Sequence, residues 1–177
     1  GDLGGDGAGA TVPTRTERST PPGMPPGVAK AGGPETRSVV FDRTLFENCD
    51  PCHPDFLKLL DTVMHEGVHV AESSLETFTD DLPGRPADYL NWKLAAVRDE
   101  REAYVKEMDM KDSLAGSLAN LIAEKDDPVH KPRKVADWVR NSWGGCESGS
   151  LKDVLKALTD VHRPSLKKKI DALSVFT

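Results

Sequence analysis

The sequence His65-Glu66-Gly67-Val68-His69 lies within a segment of helical hydrophobic period, and it constrains the fold more than any other stretch. Apolar residues recur in this segment at Phe56, Leu57, Leu60, Val63, Met64 and Val68, a spacing typical of one helix face. Residues four apart share a face, so the two imidazoles can point to one place. Two neutral imidazoles at this spacing suit Zn²⁺, and Glu66 is placed to hold a water beside the metal. The segment therefore predicts a metal-binding helix.

Two further patterns resemble a known class of enzymes. Uncharged residues surround the motif at Val63, Gly67, Val68 and Val70, which resembles the longer pattern of zincin peptidases. Downstream, the stretch Asp99–Tyr104 resembles the Glu-x-x-Ala element that follows His-Glu-x-x-His in the gluzincin branch of zinc metallopeptidases. The resemblance covers roughly residues 54–110. It implies a compact zincin-like domain, a bound Zn²⁺ and hydrolysis of peptide bonds.

A catalytic zinc site needs three protein ligands and an open position for water. The resemblance makes Glu100 the third ligand, beside the two histidines. Glu100 follows Val97 by three residues and Ala96 by four, so it turns toward the apolar stripe of a predicted second helix. Glu102 points away from that stripe and is the second choice, since a solvated ion pair with Lys106 would also account for it.

Tyr104 stands where one common form of the gluzincin pattern has an Asp that orients a ligand histidine. Its phenol could hydrogen-bond a ligand or stabilise an oxyanion, or it could pack with its hydroxyl at the surface. Asp61, one helical turn before His65, is the predicted carboxylate that orients a histidine. In the implied mechanism Glu66 is the general base that activates water.

The segment Cys49–His53 also matches the Cys-x-x-Cys-His pattern of c-type haem attachment,. Pro51 and Pro54 flank a position that a c-type haem site would normally place on a helix, and three Trp, two Tyr and five Phe leave little to enclose a haem,. The third cysteine, Cys146, favours instead a disulfide with Cys49 or Cys52, which would imply an oxidising compartment. A structural metal held by the three cysteines and His53 is a further alternative.

Residues 1–37 are rich in Gly, Pro, Thr and Ala, a composition that predicts a flexible linker. Residues 38–177 are expected to form one domain, mainly α with a small β element. A strand is predicted at Ser38–Phe41 and helices at about 54–73, 86–110, 112–125, 133–142, 150–160 and 164–174. Residues 75–86 have the composition of a surface loop.

The net charge of −6 argues against a general binder of nucleic acid or anionic membranes. No apolar run approaches the roughly 20 residues that a transmembrane helix requires, so no membrane insertion is expected. His130 and His162 sit in polar segments; either could enter the cleft as a proton donor, although a surface position explains both.

A compact zincin behind a Gly/Pro-rich lead looks like the C-terminal effector domain of a bacterial polymorphic or secretion-system toxin. That resemblance implies secretion or delivery into a target cell, a protein or peptide substrate, and a cognate immunity protein as partner. A secreted housekeeping peptidase is the nearest competitor. A non-catalytic zinc-binding module and a haem protein remain as alternatives from other classes.

Overall fold

The computed structural model describes residues 9–14, 36–72, 86–129 and 133–177. Its elements are β1 (Gly9–Thr14), β2 (Thr36–Phe41), a 3-10 turn (Arg43–Phe46), α1 (Phe56–Glu72), α2 (Pro86–Asp126), α3 (Asp137–Trp143), α4 (Ser148–Ala157), a π-helical turn (Leu158–His162) and α5 (Arg163–Ser174). The prediction of a mainly α fold with a small β element is confirmed. Among the described residues, no helix is both long and apolar enough to cross a membrane.

The β element is a two-stranded antiparallel sheet in which Gly9 lies opposite Phe41 and Thr14 opposite Thr36. Strand β2 confirms the strand predicted at Ser38–Phe41 and begins two residues earlier. Strand β1 falls inside the segment predicted as a linker, so that prediction was wrong for Gly9–Thr14. The β-branched residues of this short run favour a strand, but its pairing partner is distant in sequence. Both strands contact α1.

Helix α2 is continuous over 41 residues, or about 60 Å. The predicted break between Met110 and Asp112 is absent, because the residues there include no Pro or Gly and Lys111 is buried at 2% exposure rather than in a solvated turn. The fully buried Leu114 and Leu118 lie in the C-terminal half of α2, whereas Glu100 and Tyr104 lie in its N-terminal half. One helix therefore connects the core with the candidate site.

The core lies where the C-terminal half of α2 meets α3, α4 and the start of α1. Its fully buried side chains are Leu57, Leu114, Leu118, Val139, Trp143, Leu151, Val154 and Leu158. Burial of each such side chain stabilises the fold by roughly 1.5–3 kcal/mol. The helices predicted at 150–160 and 164–174 form one continuous helical run, joined by the π-helical turn, and α3 begins at Asp137 rather than at residue 133.

A disulfide joins Cys52, in the loop before α1, to Cys146, in the loop between α3 and α4. This confirms the predicted bridge to Cys146 and assigns it to Cys52. Cys49 is a free, exposed thiol. Because the bridge lies next to the N-terminal end of α1, it ties the histidine-bearing helix to the C-terminal helices.

Candidate metal centre

Helices α1 and α2 pack against each other and bring the three predicted metal ligands together. The Nε2 atoms of His65 and His69 lie 3.2 Å apart. The carboxylate of Glu100 reaches both rings, with Oε1 at 3.2 Å from Nε2 of His65 and Oε2 at 3.0 Å from Nε2 of His69. Fully buried Ala103, one turn after Glu100, has no side chain large enough to separate the helices.

These separations fit the donor set of a zinc site. Zinc binds imidazole nitrogen at about 2.0–2.1 Å in tetrahedral geometry, which places neighbouring donor atoms about 3.3 Å apart. Three donor atoms converge here on one point, and two of them are imidazole nitrogens that share a single carboxylate as partner. The two-histidine, one-carboxylate set is also one that catalytic zinc uses. The residues present therefore fit a bound Zn²⁺.

Each histidine is also backed by a second carboxylate. Nδ1 of His69 lies 3.0 Å from Asp99 with hydrogen-bond geometry, and Nδ1 of His65 lies 3.3 Å from Glu107, an ion-pair contact without hydrogen-bond geometry. A carboxylate at Nδ1 holds the proton on that nitrogen and leaves the Nε2 lone pair for a metal. Metal-binding histidines usually have such partners. The carboxylates near the Nδ1 atoms and the donor atoms that converge at the Nε2 atoms therefore both fit a bound Zn²⁺.

The predicted orienting carboxylate, Asp61, does not contact His65. Its two oxygens lie 2.6 Å from Nζ of Lys111 and 2.6 Å from Nδ1 of His162. Asp61 lines the same cavity as His65, but its partners there are Lys111 on α2 and His162 in the π-helical turn. Glu107, two turns after Glu100 on α2, takes the predicted role of Asp61.

Charge pairing dominates the protonation of the metal-free cluster. Burial lowers the pKa of His65, but the carboxylates of Glu100 and Glu107 outweigh burial and raise that pKa to about 9. Glu100 also raises the pKa of His69, against the effect of burial. Burial raises the pKa of Glu100, but the two histidines lower it by a larger amount. The net result is a pKa well below the usual range of a Glu carboxyl. At neutral pH the metal-free site therefore holds an ionised carboxylate between imidazoles that favour the charged form.

A cavity of about 370 Å³ adjoins the cluster. Glu66 lines it and is 7% exposed, so its carboxylate can meet a small molecule that enters the cavity. The ring of Tyr104 lies 4.4 Å from that of His65, and its phenol lies near the carboxylate of Glu100. Burial and the neighbouring carboxylates raise the pKa of Tyr104 well above its ordinary value, so the phenol stays protonated.

The structure also bears on Glu102 and on the uncharged residues around the motif. Glu102 is exposed and contacts Lys106 at 3.7 Å, the solvated pair considered as its alternative explanation. Val63 and Val70 are 45% and 41% exposed, so the uncharged frame of the motif is not buried on all sides. The candidate metal site therefore rests on the convergence of the three donor atoms and not on burial of the residues around the motif.

The structure adds residues that the sequence did not single out. Lys111 is buried between Asp61 and Glu107, with Nζ 2.6 Å and 3.2 Å from their oxygens. Of the cleft and surface positions that the sequence allowed for His162, the structure shows the first, because His162 lines the cavity. The signal for Glu107 was available, because residues seven apart share a helix face. His130 and the loop predicted at 75–86 fall outside the described residues, apart from Pro86, where α2 begins.

No protein-family model, characterised protein or solved structure matches the chain. The resemblance to gluzincins therefore stays a prediction based on the two motifs. What the structure adds is independent of relatives: the positions of donor atoms, backing carboxylates and cavity.

Proposed function

We propose that the protein is a zinc-dependent metallopeptidase whose metal is held by His65, His69 and Glu100. The observation that carries this proposal is the convergence of three donor atoms from two helices, beside a cavity that Glu66 also lines. The backing carboxylates at both histidines support a metal there rather than a casual surface cluster,. The motif on α1 supports hydrolysis as the reaction class.

In the proposed mechanism a bound zinc ion supplies Lewis acidity toward water and the substrate carbonyl. Glu66 takes the proton of the attacking water and passes it to the leaving amine. Tyr104 remains a neutral donor at neutral pH, because the pKa of its phenol is raised. Its hydroxyl can therefore donate to the oxygen of the tetrahedral intermediate. Asp99 and Glu107 hold the imidazoles of His69 and His65 in orientation.

The proposal extends to the setting in which the enzyme acts. The Cys52–Cys146 disulfide supports an oxidising compartment, which a secreted domain encounters before it reaches any target cell. We accordingly propose a secreted or injected bacterial effector, with a protein or peptide substrate and a cognate immunity protein. The same disulfide disfavours the haem alternative, because thioether attachment would need both Cys49 and Cys52 as thiols.

The test combines metal analysis with a protease assay. Purified protein is analysed for its metal content and incubated with denatured casein, and Glu66→Gln serves as the matched control. We expect one zinc per chain in both proteins and cleavage only by the wild type. Equal cleavage by both would refute Glu66 as the base. Zinc without cleavage by either would favour the non-catalytic binding module.

The ligand assignment is tested separately with two alanine variants. Glu100→Ala should lose zinc, because it removes one of three donors, whereas Glu102→Ala should keep it, because that side chain is 69% exposed and faces Lys106. Zinc loss at Glu102 alone would overturn the assignment.

A further inference from the structure

Lys169, on α5, lines the cavity that adjoins the candidate metal site. It lines this cavity with His65 and Glu66, and its Nζ lies 5.2 Å from the centre of the Tyr104 ring. Since that ring lies 4.4 Å from the His65 ring, the ammonium is within about 10 Å of a metal ligand, roughly the span of three extended residues. A group bound at Lys169 would therefore be close to the reacting bond.

Helix α5 is tied to α2 at both ends, which sets the position of Lys169. Near the start of α5, the guanidinium of Arg163 lies 2.6 Å from Asp112. Near its end, Nε of Arg101 donates to Oγ of Ser174 at 2.9 Å. Because α2 also carries Glu100, the lysine and the candidate metal ligand are attached to one rigid helix.

Among the residues that the structure describes, no carboxylate forms an ion pair with Lys169. Four carboxylates line the cavity: Asp61, Glu100 and Glu107 contact histidines or Lys111, and Glu66 is not without a partner either. Within the ranges that the structure describes, Lys169 contacts the face of Tyr104 and no carboxylate. An aromatic face attracts an ammonium but carries no net charge. Lys169 therefore presents to an entering molecule an exposed ammonium that pairs with no carboxylate of the described residues,.

The neighbouring lysines do not share this position. Lys167 pairs with Asp171 at 2.8 Å, and Lys58, which also lines the cavity, pairs with Asp55 at 3.2 Å. Lys168 and Lys169 are both exposed, but only Lys169 lines the cavity. Lys168 thus offers a control with the same charge, on the same helix, outside the site.

We propose that Lys169 binds a carboxylate of the substrate within about three residues of the scissile bond, so that the enzyme selects acidic peptides. This inference rests on the proposed peptidase function and names its substrate class. The carboxylate can come from an Asp or Glu side chain or from a peptide C-terminus. Both form the same charge-assisted hydrogen bond with an ammonium.

The experiment uses sets of blocked hexapeptides with one Glu, or its uncharged isostere Gln, at a fixed position among neutral residues. Each set is made with an amidated and with a free C-terminus, which separates the two sources of carboxylate. Cleavage is followed with zinc-loaded wild type, Lys169→Gln and Lys168→Gln. Binding is measured by calorimetry with zinc-loaded Glu66→Gln, alone and combined with each lysine variant, so that the readout does not depend on turnover.

We expect kcat/KM and affinity to be about tenfold higher for the acidic set, as a hydrogen bond to a charged group implies. Lys169→Gln should abolish that preference and Lys168→Gln should retain it. Equal cleavage and binding of the Glu and Gln peptides, or a preference for Glu that persists in Lys169→Gln, would overturn the inference. Neither result would contradict the proposed peptidase function. Preferential binding of acidic peptides without cleavage would support the inference and refute the proposed function. Absence of both binding and cleavage would overturn both.

Discussion

Replacing Glu107 with Gln should weaken zinc binding although all three proposed ligands remain. The Glu107 carboxylate is buried and lies 3.3 Å from Nδ1 of His65. It favours the tautomer in which Nε2 is free to bind a metal, and its charge makes the imidazole a better donor. The amide keeps the size of the side chain but loses the charge.

The magnitude follows from the two contacts that Glu107 makes. Loss of a carboxylate behind a ligand histidine typically costs 10–100-fold in metal affinity, or about 1.4–2.7 kcal/mol. Glu107 also contacts buried Lys111 at 3.2 Å, and Lys111 retains Asp61 at 2.6 Å. The free energy of unfolding of the metal-free protein should therefore fall by only about 1–3 kcal/mol, and the variant should still fold.

The assay is a zinc competition titration against a chromophoric chelator, with urea unfolding in excess chelator as a separate measure of stability. Glu102→Gln is the matched control, because it makes the same chemical change on the same helix at an exposed position. If folded Glu107→Gln bound zinc as tightly as the wild type and the control, the role assigned to this carboxylate would be refuted.

Three further predictions concern the disulfide, the cavity histidine and pH. Cys52→Ala should lower the free energy of unfolding by about 2–5 kcal/mol in chemical denaturation, because the bridge closes a sequence separation of 94 residues,; Cys49→Ser should leave stability unchanged, and equal effects would contradict this reasoning. His162→Gln should lower kcat without changing zinc content, because His162 lines the cavity and contacts Asp61; an unchanged kcat would remove it from catalysis. In the metal-free protein the pKa of His65 is raised from 6.5 to about 9, so protonated His65 stabilises the fold fully below pH 6.5 and this contribution disappears as the pH rises through 9. Thermal unfolding in chelator across this range should show a larger loss in the wild type than in His65→Gln, in which only His69, whose pKa is also raised, still contributes.

The parts of the site that were predictable from sequence are those governed by local helical geometry. His65 and His69 share a face because they are four residues apart, and Glu100 turns toward α1 because of its spacing from Val97. The role of Asp61 was not predictable in this way. Its partner, His162, is 101 residues away in sequence, and a helical repeat on α1 contains no information about which helix packs there.

The fold was predictable to a similar extent and for similar reasons. Periodicity placed α1 and the strand β2, because both depend on short-range patterns. The same periodicity predicted a break in α2 at a polar stretch near Lys111. The sequence pattern does not indicate that Lys111 is buried between two carboxylates. It also missed β1, whose pairing with β2 joins residues far apart in the chain.

The Cys52–Cys146 bridge makes the chain a covalent ring with two tails. His65, His69 and Glu100 all lie on the ring, whereas His162 and Lys169 lie on the C-terminal tail. A single peptide-bond cleavage between α1 and α2 would put the two histidines and Glu100 on different pieces. Those pieces would nevertheless remain one molecule, and they would separate only after reduction. A preparation nicked there would run as one band on a non-reducing gel while its donor groups stayed tethered within reach of each other.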